Sequence, residues 1–128
     1  MAKSKPYRLG ELQLAILKVL WECGPAAVDD VRKGLDRRKR PAYTTVATVL
    51  RRMEDDGLVT HDEDGRRFIY RPAVAPERVA GSMAGDLLDR VFEGSLSDMV
   101  SHLLRGREVD PDELDRIERL IARKRDQA

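Results

Sequence analysis

The run Ala42-Tyr43-Thr44-Thr45-Val46-Ala47-Thr48-Val49-Leu50-Arg51-Arg52-Met53 constrains the fold more than any other stretch of this chain. Its apolar residues Val46, Val49, Leu50 and Met53 recur at helical spacing, so one face of a helix must find a core. The opposite face carries Thr44, Thr48 and Arg51, flanked by Thr45 and Arg52. Short hydroxyls and guanidinium groups suit a helix lying in a DNA major groove. Arginine can fork onto guanine or phosphate, and threonine offers a hydroxyl to phosphate and a methyl to thymine. A solvated face is the alternative for such a helix standing alone, so the neighbouring segments decide.

Leu9 to Cys23 reads as a preceding helix, with Leu12, Ile16, Val19 and Leu20 in one stripe and Leu14, Leu17 and Trp21 widening it. A helix this apolar has to be covered on more than one side, and Gly24-Pro25 stops it. Cys23 is the only cysteine, which excludes an internal disulfide; its place after Trp21 suggests a small packing residue. Ala27 to Leu35 reads as a short second helix with Val28, Val31 and Leu35 inward and Asp29 and Asp30 in its first turn, where carboxylates favour the dipole. The basic residues of the loop Asp36-Arg37-Arg38-Lys39-Arg40-Pro41, among them Arg38, Lys39 and Arg40, suit phosphate contact, with a solubilising turn as the alternative.

The central helix is expected from about Ala42 to Asp56, stopped by Gly57. Leu58 to His61 then reads as a strand, Asp62-Glu63-Asp64-Gly65 as a turn, and Arg66 to Arg71 as the return strand, ended by Pro72. Three helices followed by a hairpin is the order of a winged helix-turn-helix. Such a wing would bring Arg66 and Arg67 beside a DNA backbone, and His61 reads as a residue on the strand surface.

After Pro72 the character changes. Ala75 to Phe92, Leu96 to Leu104 and a helix opened by Asp110-Pro111-Asp112-Glu113 each carry an apolar stripe. The stripes comprise Leu87, Leu88 and Val91, then Leu96, Met99, Val100, Leu103 and Leu104, then Leu114, Ile117, Leu120 and Ile121. Some fifty residues of short helices cannot bury these alone, so a homodimer held by this region is expected. Folding back onto the winged helix is the alternative. The expected fold class is therefore mainly α with a small β-hairpin wing: a winged helix over residues 1–72 and a helical dimerisation region over 73–128.

The charge distribution agrees with that division. Residues 1–72 hold 15 Lys and Arg against 11 Asp and Glu, a balance of +4, whereas residues 73–128 hold 9 against 12, a balance of −3. A basic front and an acidic back suit a DNA-facing part joined to one that avoids DNA. Aromatic residues are 5% of the 128, so the core has to be aliphatic. No stretch has the length and apolarity of a membrane span, and the basic start, Met1 to Arg8, lacks a following hydrophobic signal region. The chain is expected in the cytoplasm, without membrane insertion. His61 and His102 fall in different elements, and Cys23 has no metal-ligand spacing to either. No catalytic group, metal site or cofactor is expected, and no phosphate-binding glycine loop is present, since Gly81 and Gly85 lie mid-helix.

Leu9-Gly10-Glu11-Leu12 with Val19-Leu20-Trp21, Val28-Asp29-Asp30-Val31, the Tyr43-Thr44-Thr45-Val46 helix, Gly57-Leu58-Val59 and Gly65-Arg66 through Pro72 together resemble the BlaI/MecI/CopY family of repressors. The resemblance covers roughly residues 7–123. It implies a dimeric repressor of a dyad-symmetric operator, double-stranded DNA being the partner. Thr44, Thr45 and Thr48 would then contact bases or phosphates and Arg52 the backbone. Tyr43 would touch the sugar-phosphate backbone or pack partly at the helix start, wing contacts to DNA would fall on Arg66 and Arg67, and Arg51 is added from the helix face. Some members are inactivated by a membrane-sensor protease that cuts an Asn-Phe bond. The corresponding bond here is His102-Leu103, whose side chains differ. Copper-responsive members carry paired C-terminal cysteines, which Ile121 to Ala128 lacks. A winged-helix protein-interaction module and a direct sensor of a small ligand are the competing functions; the basic residues of the loop and wing speak against the first.

Overall fold

The computed structural model describes residues 7–128, so most of the basic Met1 to Arg8 stretch lies outside the described residues. Helix α1 (Glu11–Cys23) begins where the Gln13 side chain reaches back to accept from the Gly10 N–H at 2.9 Å. Ile16, Leu17 and Leu20 are completely covered. Cys23 does not pack as expected: it is exposed, because the last turn of α1 outruns the core and leaves Glu22 and Cys23 in solvent. Trp21, half-buried, donates from Nε1 to the Val74 carbonyl at 2.9 Å and so ties the end of the hairpin back to α1.

Ala26 and Ala27 form a strand, β1 (Ala26–Ala27), where a helix start was expected at Ala27. Two alanines carry no strand signal of their own, and the order comes from pairing with Tyr70 and Ile69. Helix α2 (Val28–Lys33) is correspondingly short. It lies close to α1: a β-carbon on Gly34 would come within 2.7 Å of Val19 Cγ1. A 3₁₀ turn over Arg37–Lys39, capped by the Asp36 carboxylate on the Arg38 N–H, leads to α3 (Tyr43–Asp55). Gly57, at φ +80°, turns the chain out of that helix.

The hairpin consists of β2 (Val59–Asp64) and β3 (Arg67–Pro72), and with β1 makes an antiparallel sheet in the order β1-β3-β2. β2 runs further than expected. Asp62, Glu63 and Asp64 pair with Ile69, Phe68 and Arg67 instead of forming the turn, which falls at Gly65-Arg66. Cross-strand ion pairs of Asp62 with Arg71 and of Asp64 with Arg67 offset the acidic run and let it stay extended. Val31, Val46, Leu50, Met53, Val59 and Tyr70 join the α1 residues in one core, which seats α3 with its other face outward.

Three helices complete the chain: α4 (Pro76–Val91), α5 (Leu96–Arg105) and α6 (Pro111–Asp126). Internal contacts divide it into residues 1–84 and 85–128, the division falling within α4. In the first half of α4, within the first unit, Val79 is 1% exposed and Ser82 Oγ accepts from the Tyr7 N–H at 2.9 Å. In the second unit Ser95 and Asp110 cap α5 and α6 as their positions before each helix demand. No residue of α5 or α6 is buried.

Candidate nucleic-acid interface

Helix α3 turns its two faces apart cleanly. Val46, Leu50 and Met53 are fully buried, while Tyr43, Thr44, Thr45, Thr48, Arg51 and Arg52 are exposed. The Thr48 hydroxyl donates to the Thr44 carbonyl at 2.9 Å. That local bond occupies the proton and orients the side chain, leaving an oxygen that accepts and a methyl that packs.

The basic loop separates into two kinds of side chain. Arg38 and Lys39 point into solvent, Lys39 lying 3.5 Å from Glu11 on an exposed surface. Arg40 turns inward: its Nη2 donates to the carbonyls of Lys33 at 2.7 Å and Leu35 at 3.2 Å. Its guanidinium satisfies acceptors at the end of α2, which gives it a scaffold role beside the phosphate contact expected of it from the sequence. Arg32, which the sequence did not single out, does the same from the other side, donating Nε–H to the Pro41 carbonyl at 2.7 Å. Together they fix the entry to α3. Only the positions of the acceptors distinguish these arginines from their neighbours, and those positions exist only in the folded chain.

Arg66 and Arg67 stand at the wing tip, both exposed. With Tyr43 and Arg51 of α3 and Asp30 of α2 they line a cleft of about 530 Å³. Four of the candidate DNA-contacting residues are thus brought around one hollow. Lys39 lies elsewhere, beside Leu12 and Leu35 in a second depression.

His61 is not simply a residue of the strand surface. Its side chain is 27% exposed and Nδ1 lies 2.6 Å from Glu54 Oε1. Burial pushes the Tyr70 hydroxyl above its ordinary pKa, the Glu54 charge adds to that, and the Arg51 charge opposes it. Among the described residues no group of three or more His, Cys, Asp or Glu could hold a metal ion, and no helix is long and apolar enough to cross a membrane.

The sequence profile of the penicillinase repressor family matches residues 9–123. The chain belongs to the penicillinase repressor family. This repressor is a DNA-binding transcriptional regulator and not an enzyme. It is 36% identical over 121 residues to the transcriptional regulator BlaI of Mycobacterium tuberculosis, an alignment spanning 93% of this chain and 86% of that one. To the penicillinase repressor of Bacillus licheniformis it is 23% identical over 114 residues, 89% of each chain. Its structure matches the solution structure of the DNA-binding domain of the repressor BlaI with a TM-score of 0.50 at 26% identity, covering 60% of this chain and 93% of that one. The expected winged helix and repressor family are therefore those found.

In the second unit the apolar stripes stand open. Leu87, Val91, Leu96, Leu103, Leu104, Leu114, Leu120 and Ile121 are all more than a third exposed, while Leu88, Met99, Val100 and Ile117 are half-buried. His102 and Leu103 lie inside α5, and His102 Nδ1 sits 2.9 Å from the Asp98 carbonyl.

Proposed function

We propose that this repressor acts as a homodimer on a dyad-symmetric operator and occludes a promoter, which entails a protein of the cytoplasm. One recognition helix α3 would enter a major groove in each half-site. The division of α3 into a buried aliphatic face and an exposed face of threonines and arginines carries the reading. On it, Thr44, Thr45 and Thr48 meet bases or phosphates, Arg51 reaches a base edge, Arg52 and Tyr43 touch the backbone, and Arg38, Lys39, Arg66 and Arg67 neutralise phosphates. The uncovered aliphatic stripes of α5 and α6, with the second half of α4, support dimerisation through residues 85–128. Release by a membrane-sensor protease at His102-Leu103 would require α5 to unwind around the bond, since that backbone is held in helical hydrogen bonds.

Titrating the full chain against a fluorescent duplex from its own upstream region, with a scrambled duplex beside it at two salt concentrations, tests the reading. Two chains per dyad and a preference of about a thousandfold or more over the scrambled duplex are expected. Equal weak binding to both would overturn it.

A further inference from the structure

Beyond the brace of β1 the wing is a bare two-stranded ribbon. β1 pairs only with Tyr70 and Ile69, so Arg67 and Phe68 of β3 and Glu63 and Asp64 of β2 are paired only with one another. A two-stranded hairpin is marginal in water, yet the wing arginines sit at its tip. Their usefulness depends on what keeps the ribbon at a fixed angle to α3.

At the braced rung stands His61, opposite Tyr70. Its Nδ1 lies 2.6 Å and 2.8 Å from the two carboxylate oxygens of Glu54 on α3. Its ring stacks on Phe68, with centroids 4.1 Å apart and planes 22° from parallel, and leans on Tyr70 at 5.6 Å. One imidazole thus touches the recognition helix through its polar edge and the unbraced part of the ribbon through its face. The tip pair, Asp64 and Arg67, lies three residues further along, about 10 Å at the rise of a strand. Glu54 also follows closely on Arg51 and Arg52, where a bare carboxylate would repel phosphate; His61 occupies it.

From this geometry we infer that Glu54, His61 and Phe68 form a clamp that holds the wing at a set angle to the recognition helix. His61 is then a positioning residue for the DNA contact made by Arg66. The inference rests on the operator reading above.

Two measurements on the full-length chain test it. Without DNA, His61→Ala should let the amides of residues 63–68 exchange at least about tenfold faster, while those of α3 keep their rates. His61→Asn, whose Nδ2 stands near the place of Nδ1, should recover part of that protection. On the operator, His61→Ala should flatten the salt dependence by about one unit of log–log slope, as losing a phosphate contact does. Combined with Arg66→Ala it should lose less affinity than the product of the two single losses, by about twofold or more. Should His61→Ala fail to fold, Glu54→Ala removes the same pair from the helix side and gives the same two readouts. Unchanged exchange at the wing tip overturns the clamp, and so do fully multiplicative losses with Arg66→Ala. If the unaltered chain binds operator and scrambled DNA alike, the operator reading fails and the role of His61 in DNA contact fails with it; the exchange rates report the clamp separately.

Discussion

Thr48 and Arg40 show how far a single side chain can be interpreted. Because the Thr48 proton is used on Thr44, the side chain is left with an acceptor and a methyl to offer a duplex on the proposed reading. Thr48→Ala should weaken operator binding by about 1 kcal/mol and leave scrambled DNA nearly unaffected, measured as paired titrations. Arg40→Ala should lower the thermal midpoint, since it strips the Lys33 and Leu35 carbonyls of their donor at a cost of about 1–2 kcal/mol. Arg38→Ala should leave the midpoint alone and weaken binding to any duplex; a calorimetric scan beside a DNA titration separates the two. The threonine face was legible because periodicity alone decides which side of a helix is wet. The split within the basic loop was not, since Arg37 to Arg40 read alike until α2 ends beside one of them. Tyr70 supplies a test of burial. Its raised pKa means the folded chain keeps a proton that the unfolded chain loses above its ordinary value of 10.0. Stability contributed by this group is whole below that value and declines as pH rises past it. Thermal midpoints taken from neutral to strongly alkaline pH should therefore fall more steeply for the unaltered chain than for Tyr70→Phe.

Elements follow the same rule: what a segment does alone is readable, and what its neighbour does to it is not. The helices α1 and α3 were expected within two residues of where they lie, because their stripes and glycine stops are local. β1 was missed because Ala26 and Ala27 become a strand only through β3. β2 was cut short because an acidic run looks like a turn until Arg71 and Arg67 are set across from it. The α1–α2 contact likewise depends on a neighbour. Gly34 has an ordinary φ of −77°, so its requirement is room. Gly34→Ala should cost about 1–3 kcal/mol in urea unfolding by driving a methyl against Val19. Adding Val19→Ala to Gly34→Ala should cost less than Val19→Ala does alone, because it removes the atoms the new methyl strikes, so the two effects are far from additive.

At the scale of the whole molecule, residues 85–128 have helices but no buried centre. The sequence conveyed that well, since aliphatic stripes on short helices need a cover from outside. If the proposed dimer forms through these stripes, Leu103→Glu with Leu120→Glu, both at exposed positions, should leave monomers in sedimentation where the unaltered chain sediments as a dimer. Operator affinity should then fall by about a hundredfold or more, with half-site binding close to unchanged, as expected when two linked contacts become independent. Sedimentation that still finds a dimer would defeat this assignment of the interface. Cys23 bears on how such an experiment is run. The only thiol in the chain sits in solvent at the end of α1. Aerobic storage can therefore join two chains covalently and imitate association on a non-reducing gel, so the mass has to be weighed with reductant present. The same thiol takes one maleimide dye per chain without any substitution, so the proposed dimer would carry a native pair of labels whose energy transfer can follow subunits parting in real time.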